Sequence, residues 1–142
     1  MPGKTSLSLA DSALIEAART IIEAHYVENR HHIAAAVRGG SGRIYIGLHL
    51  DTYVGRCSVC AEAVALGSAL SAGEKKIRAI VSVRHPRPRE RHREPQIVSP
   101  CGICREMLTD FAPEAAIIVK RGKALVRVSP ASLLPLKYRR EP

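Results

Sequence analysis

Two cysteine motifs far apart in this chain have to meet in space, and that requirement governs what it can fold into. Cys60-Ala61-Glu62 and Pro100-Cys101-Gly102-Ile103-Cys104 offer three thiols and a carboxylate, with 40 residues between Cys60 and Cys101. Three protein ligands and a fourth position left to water describe a zinc that does chemistry, whereas four ligands close a structural site. Such a metal lowers the pKa of its water to about 7. A carboxylate beside it, not bound to it, can then move protons. In this reading Cys60, Cys101 and Cys104 hold Zn2+ and Glu62 is the proton shuttle.

The fourth cysteine offers a competing arrangement. Cys57-x-x-Cys60 with Cys101-x-x-Cys104 has the form of a closed four-thiolate knuckle. Such ribbons separate their pairs by roughly 15–20 residues. The longer stretch here reads as a helix and a strand, and a closed site would leave Glu62 without a task. The open site is preferred, with Cys57 in the loop before a helix. Four cysteines in 142 residues are too few for a disulfide scaffold. The opening MPGKTSLSLADS carries no apolar leader core, and no apolar run approaches the ~20 residues of a membrane span. The expectation is a cytoplasmic protein whose thiols stay reduced.

Hydrophobic periodicity supplies the scaffold. Residues 8–27 read as an amphipathic helix, with Leu14, Ile15, Ala18, Ile21 and Ile22 at helical spacing and a capping box at Ser8 and Asp11. A hairpin follows over 32–38 and 43–48, joined by Gly39-Gly40-Ser41-Gly42. A small-residue helix covers 60–71, a continuous apolar strand 77–83, a third helix 101–111, and two further strands 116–119 and 125–128. The order αββαβαββ predicts one α/β domain over 1–142, a three-layer α/β/α sandwich with a mixed five-stranded sheet. Both cysteine motifs fall where helices begin, and the N–H groups of a helix N-terminus favour thiolate over thiol.

The formal net charge of +9 raises a nucleic-acid reading. Arg84, Arg87, Arg89, Arg91 and Arg93 crowd one Pro-rich stretch, and Lys137, Arg139 and Arg140 add to the tail. Single-strand binders interleave aromatics among such cations, and none lies between Arg84 and Glu94. Nucleic acid is therefore the lesser partner. A solvated loop is preferred, with attraction of an anionic substrate as its functional alternative.

On these residues the chain resembles the cytidine deaminase superfamily, in the small single-domain branch that includes cytidine deaminase and blasticidin-S deaminase. Cys60-Ala61-Glu62 and Ser99-Pro100-Cys101-Gly102-Ile103-Cys104-Arg105 match the two zinc segments, Gly42-Arg43-Ile44 with Gly47 the second strand, and Leu133-Leu134-Pro135 the C-terminal segment. The resemblance implies hydrolytic deamination of a cytidine-like nucleoside or related aminopyrimidine. Zinc hydroxide would attack the amine-bearing carbon, with Glu62 carrying the protons. It also implies a homotetramer, or a homodimer, whose sites borrow residues from neighbouring subunits. The alternatives are deamination of blasticidin S or another aminated heterocycle, a nucleic-acid-binding deaminase-like module, and an idle zinc scaffold.

Departures from the family pattern bear on substrate. The Asn-x-Glu that holds ribose in cytidine deaminases becomes His49 and Asp51, and the pyrimidine-flanking Phe falls at His31 beside His32. The Arg that compensates the thiolates is Ala63, which leaves that role to Arg105 or the helix termini. Tyr138 falls where blasticidin-S deaminase has a tyrosine near its substrate. His49, Asp51, Ala61 and Tyr138 are the expected substrate contacts.

Overall fold

A computed structural model describes residues 6–142; residues 1–5, part of the stretch read for a leader, lie outside it. The first helix, α1 (Leu9–His25), starts as its sequence requires: Ser8 Oγ accepts the Asp11 N–H, and the Asp11 carboxylate accepts the Ser8 N–H. Its buried stripe of Leu14, Ala18 and Ile22 faces a sheet. Strands β1 (Ile33–Gly39) and β2 (Ile44–Leu48) form the predicted hairpin. Its turn contains Gly42 at φ 91°, in the left-handed region that glycine adopts without steric cost.

A short 3-10 turn at Gly55–Cys57 leads to α2 (Ala61–Ser71), then to β3 (Ile77–Arg84) and β4 (Gln96–Val98). The chain continues as α3 (Gly102–Phe111), β5 (Ala116–Arg121), β6 (Ala124–Val128) and a last turn of helix, α4 (Pro130–Leu133). Strand order is β2-β1-β3-β5-β6, with β3 antiparallel to β1 and parallel to β5. The sheet is thus mixed and the three-layer class is as expected, but it has six strands rather than five. The sixth, β4, pairs Gln96–Val98 with Ser82–Arg84, beyond the Ala79–Val81 segment that pairs with β5. Three half-buried residues after a Pro-rich loop are too short to show a period of two in the sequence.

Alternation along the strands sorts the core onto two faces. Ala34, Ala36, Ala79, Val81, Val83 and Ile118 pack under α1. Ala35, Val37, Ile80, Ile117 and Val119 pack under α2 and α3, with Ala61, Ala65, Ala69 and Leu108. Ser82 lies between Val81 and Val83, so it belongs to the second face. The small residues of α2 and of β2 allow very close approach there. A Cβ added at Gly47 would sit 2.4 Å from the Ala65 nitrogen and 2.5 Å from the Ala61 carbonyl oxygen. That contact seats the first turn of α2 directly on the β2 backbone.

Candidate active site

The two helices that begin at cysteine motifs point their N-termini at one another. Cys60 is the N-cap of α2 and Cys101 the N-cap of α3, while Cys104 lies buried in the first turn of α3. Cys60 Sγ lies 3.4 Å from Cys101 Sγ, which lies 3.6 Å from Cys104 Sγ. All three sulfurs fall within 4.8 Å of one another. Tetrahedral zinc with Zn–S bonds near 2.3 Å places its sulfurs about 3.8 Å apart, so this triangle fits the ion. Cys57 ends the exposed 3-10 turn and is outside the triangle, as the open-site reading requires.

Without a cation, the three thiols differ in ease of ionisation. Burial, followed by the neighbouring Glu62 charge, pushes Cys104 far above the ordinary thiol value. Burial and then the bond to Cys101 push Cys60 up as well. At Cys101 burial also opposes ionisation, but the backbone N–H of Cys104 and contacts with Cys60, Cys104 and Ile103 outweigh it and hold the thiol low. A divalent cation would supply the positive charge that lets all three ionise together.

Glu62 is 6% exposed in the first turn of α2, and each of its oxygens has a partner. Cys104 Sγ donates to Oε2 at 3.4 Å, and Ser82 Oγ donates to Oε1 at 2.7 Å. One carboxylate oxygen therefore faces the sulfur triangle while the other is held by the sheet. Ser82 lies outside every motif that the sequence offers for the site. Its signal was a single hydroxyl inside the apolar run IRAIVSV, on a strand buried along most of its length. Buried polar groups of that kind are normally partnered, and here the partner is Glu62.

The segment carrying His49 and Asp51 lies beside the Cys60 motif. Leu50 and Val59 exchange backbone hydrogen bonds of 2.9 Å in both directions, which lays 49–51 alongside 58–60. The His49 carbonyl accepts from His31 Nδ1 at 2.8 Å, and His49 Nδ1 accepts the His32 N–H at 3.4 Å. Asp51 accepts from Ser58 Oγ at 3.4 Å and lies 3.9 Å from His32 Nε2. His32 itself is buried, and its Nε2 accepts the Asn29 N–H at 2.9 Å. Burial, with the nearby Arg87 charge, holds its pKa below the ordinary histidine value. Ala61, 1% exposed, opens α2 between Cys60 and Glu62.

Two other expectations meet a different arrangement. Arg105 turns away from the thiols: its Nε donates to the Pro100 carbonyl at 2.9 Å and its Nη1 to the Leu133 carbonyl at 3.0 Å. It ties the second cysteine loop to α4. Of the two sources expected for charge compensation, the helix N-termini are the ones at which Cys60 and Cys101 sit. Tyr138 is 81% exposed and shares a surface cavity with Glu106, Asp110 and Phe111, on the half of α3 remote from Cys101. The preceding residue anchors it there, since Lys137 Nζ bonds Asp110 at 2.8 Å and Glu106 at 3.2 Å. The basic loop is internally braced as well. Both Arg84 Nη atoms donate to the Glu90 carboxylate, at 3.1 and 2.6 Å, and the Arg87 N–H joins them.

Comparison with known proteins agrees with this geometry. Residues 9–120 match the family model of the cytidine and deoxycytidylate deaminase zinc-binding region. A blasticidin-S deaminase from Bacillus cereus is 43% identical over 135 residues, covering 95% of this chain and 96% of that protein. The crystal structure of cytidine deaminase from Burkholderia pseudomallei superposes with a TM-score of 0.72 at 26% identity, covering 93% of this chain and all (100%) of that one. That of cytidine deaminase from Bacillus anthracis gives a TM-score of 0.75 at 24% identity, with coverage of 89% and 88%.

Proposed function

We propose, for a chain that belongs to the cytidine and deoxycytidylate deaminase family and is a zinc-dependent hydrolase of C–N bonds, that it removes the exocyclic amine of a cytosine-type ring in a small nucleoside-like molecule. The observation that carries this reading is the placement of Glu62, with one oxygen held by Ser82 and the other turned to the three sulfurs. Cys60, Cys101 and Cys104 would hold the metal. When bound, zinc supplies a Lewis acid that makes water a competent nucleophile at neutral pH. The residues of the chain do the rest. Glu62 Oε2 takes the first proton of the attacking water and delivers it to the ring nitrogen. It then takes the second from the hydroxyl added to the ring carbon and passes it to the amine, which leaves as ammonia as the C–N bond breaks and the C=O bond forms. Ser82 keeps Oε1 fixed, so the proton arrives at one oxygen and in one direction. His49 and Asp51 sit beside the Cys60 motif, where they would bind the portion of the substrate outside the ring; Ala61 would line the ring pocket.

A second reading of the substrate is blasticidin S, favoured by the 43% identity to a blasticidin-S deaminase over nearly the full chain. The reacting amidine is common to both, so the groups beyond the ring decide between them. A panel of cytidine, deoxycytidine, their monophosphates, cytosine and blasticidin S, read by ammonia release, tests this directly. Turnover of at least one of these cytosine-bearing compounds is expected. Failure on all of them would refute the assignment.

We further read residues 1–142 as one domain acting in a homotetramer in the cytoplasm, where thiols stay reduced. The described part of the chain contains no helix long and apolar enough to cross a membrane. Exposed Ile103, Phe111, Leu136 and Tyr138 support association, and in such an assembly Tyr138 would serve a neighbouring copy's site rather than its own. Light scattering that returned a monomer at micromolar concentration would exclude this.

A further inference from the structure

A second cluster of charge lies at the other end of the sheet from the thiols and takes no part in the chemistry above. Arg38, Lys76, Arg78 and Arg127 line a cavity of about 390 Å³, together with Ile77 and Glu114. Arg78 is near the start of β3, whereas Ser82, which holds Glu62, is four residues further on, or roughly 13 Å along the strand. Arg38 and Arg127 extend on the α1 face, where both reach the buried Asp11, while Glu62 belongs to the opposite face.

Three of these cations are held in place before anything binds. Arg38 Nη2 and Arg127 Nη1 donate to Asp11 at 3.4 and 2.6 Å, and Arg78 donates through Nε and Nη2 to the Gly40 carbonyl at 3.2 and 3.0 Å. One carboxylate shared by two guanidinium groups leaves the cavity with excess positive charge. Arg38 Nη1 sharpens the point: it is buried and has no hydrogen-bond partner among the described residues. A buried charged donor left unmatched is costly. Nη1 is closed off from solvent, so an oxyanion in the adjoining cavity would offset its charge through space rather than by accepting from it. Glu114 is the carboxylate at the rim, and it forms no ion pair among the described residues.

We propose that this cavity is a binding site for a small, multiply charged oxyanion, inorganic phosphate in particular. The fork of a guanidinium matches two oxygens of such an ion, and Lys76 adds a point charge at the mouth. No aromatic lines the cavity and Ile77 is its one apolar residue. It therefore offers no platform for a nucleobase, which separates a free oxyanion from a nucleotide as the occupant. The site is physically independent of the zinc centre.

The test is a phosphate titration of the full chain at constant ionic strength, made up with chloride and followed by calorimetry and by melting temperature. Saturable binding and a rise in melting temperature that chloride does not produce are expected. The double variant Lys76→Gln/Arg78→Gln leaves the Asp11 network untouched, so it should fold and hold zinc as the parent does while binding phosphate at least tenfold more weakly. Glu114→Gln, which removes the opposing rim charge, should bind several-fold more tightly. Phosphate behaving like chloride at matched ionic strength would overturn the proposal. So would unchanged affinity in the double variant, or a failure of Glu114→Gln to tighten binding.

Discussion

Ser82 Oγ donates to Glu62 Oε1 across 2.7 Å, inside the layer where β3 meets α2, with Ser82 3% and Glu62 6% exposed. The bond joins the central strand to the first turn of the helix that Cys60 opens. It leaves the second carboxylate oxygen as the one that can work.

Ser82→Ala removes that restraint without touching the sulfurs. A hydrogen bond to a charged group contributes about 1.5–3 kcal/mol, so turnover should fall roughly ten- to a hundredfold. Zinc content by metal analysis should stay at the parent value. Unaltered turnover would mean that Glu62 is held adequately by the helix alone.

Cys57 and Cys101 separate the open site from a closed four-thiolate one. Cys57→Ser should keep both zinc and melting temperature, because Cys57 is exposed outside the sulfur triangle. Cys101→Ser removes one vertex of that triangle, and it should lose the metal and the folding free energy coupled to binding it. Equal zinc loss in both variants, measured after identical purification, would point instead to a closed site.

Asp11 gives the fold an acid-sensitive joint. Burial pushes its carboxyl up, but the Ser8 N–H and the Arg127 guanidinium outweigh burial and hold it below the ordinary carboxylate value. A depressed carboxylate contributes stability that is complete above the unfolded value of about 4 and is lost as pH falls through the lower folded value. Asp11→Asn would leave two arginines facing no anion, at a cost of about 3–5 kcal/mol near neutrality. The stability gap between parent and variant, from denaturant melts, should narrow below pH about 4. A gap that stayed constant from neutrality into that range would contradict the assignment.

How far the sequence revealed all this depended on the range of each signal. The helix beginning at Ser8, the hairpin and the two cysteine helices were legible because capping boxes, apolar periods and ligand spacing are local patterns. The zinc triangle was legible for the same reason, although its halves are 40 residues apart. Strand β4 was not, since three residues carry no measurable period and only pairing with Ser82–Arg84 makes them a strand. The sequence does not choose between Arg105 and the helix termini for charge compensation, because the partners of Arg105, the carbonyls of Pro100 and Leu133, are backbone atoms whose positions no side-chain pattern encodes. Asp11 was legible as a helix cap, but its ion pairs with Arg38 and Arg127 join strands distant in the chain.

Glu62→Gln puts the central claim to the most direct test. Glutamine keeps the size of the side chain and can still accept from Ser82, but it cannot take a proton from water. Zinc content and melting temperature should match the parent, while ammonia release on the substrate identified by the panel should fall by at least ~10²–10⁴. A Glu62→Gln protein that holds its zinc and retains most of its turnover would contradict the mechanism.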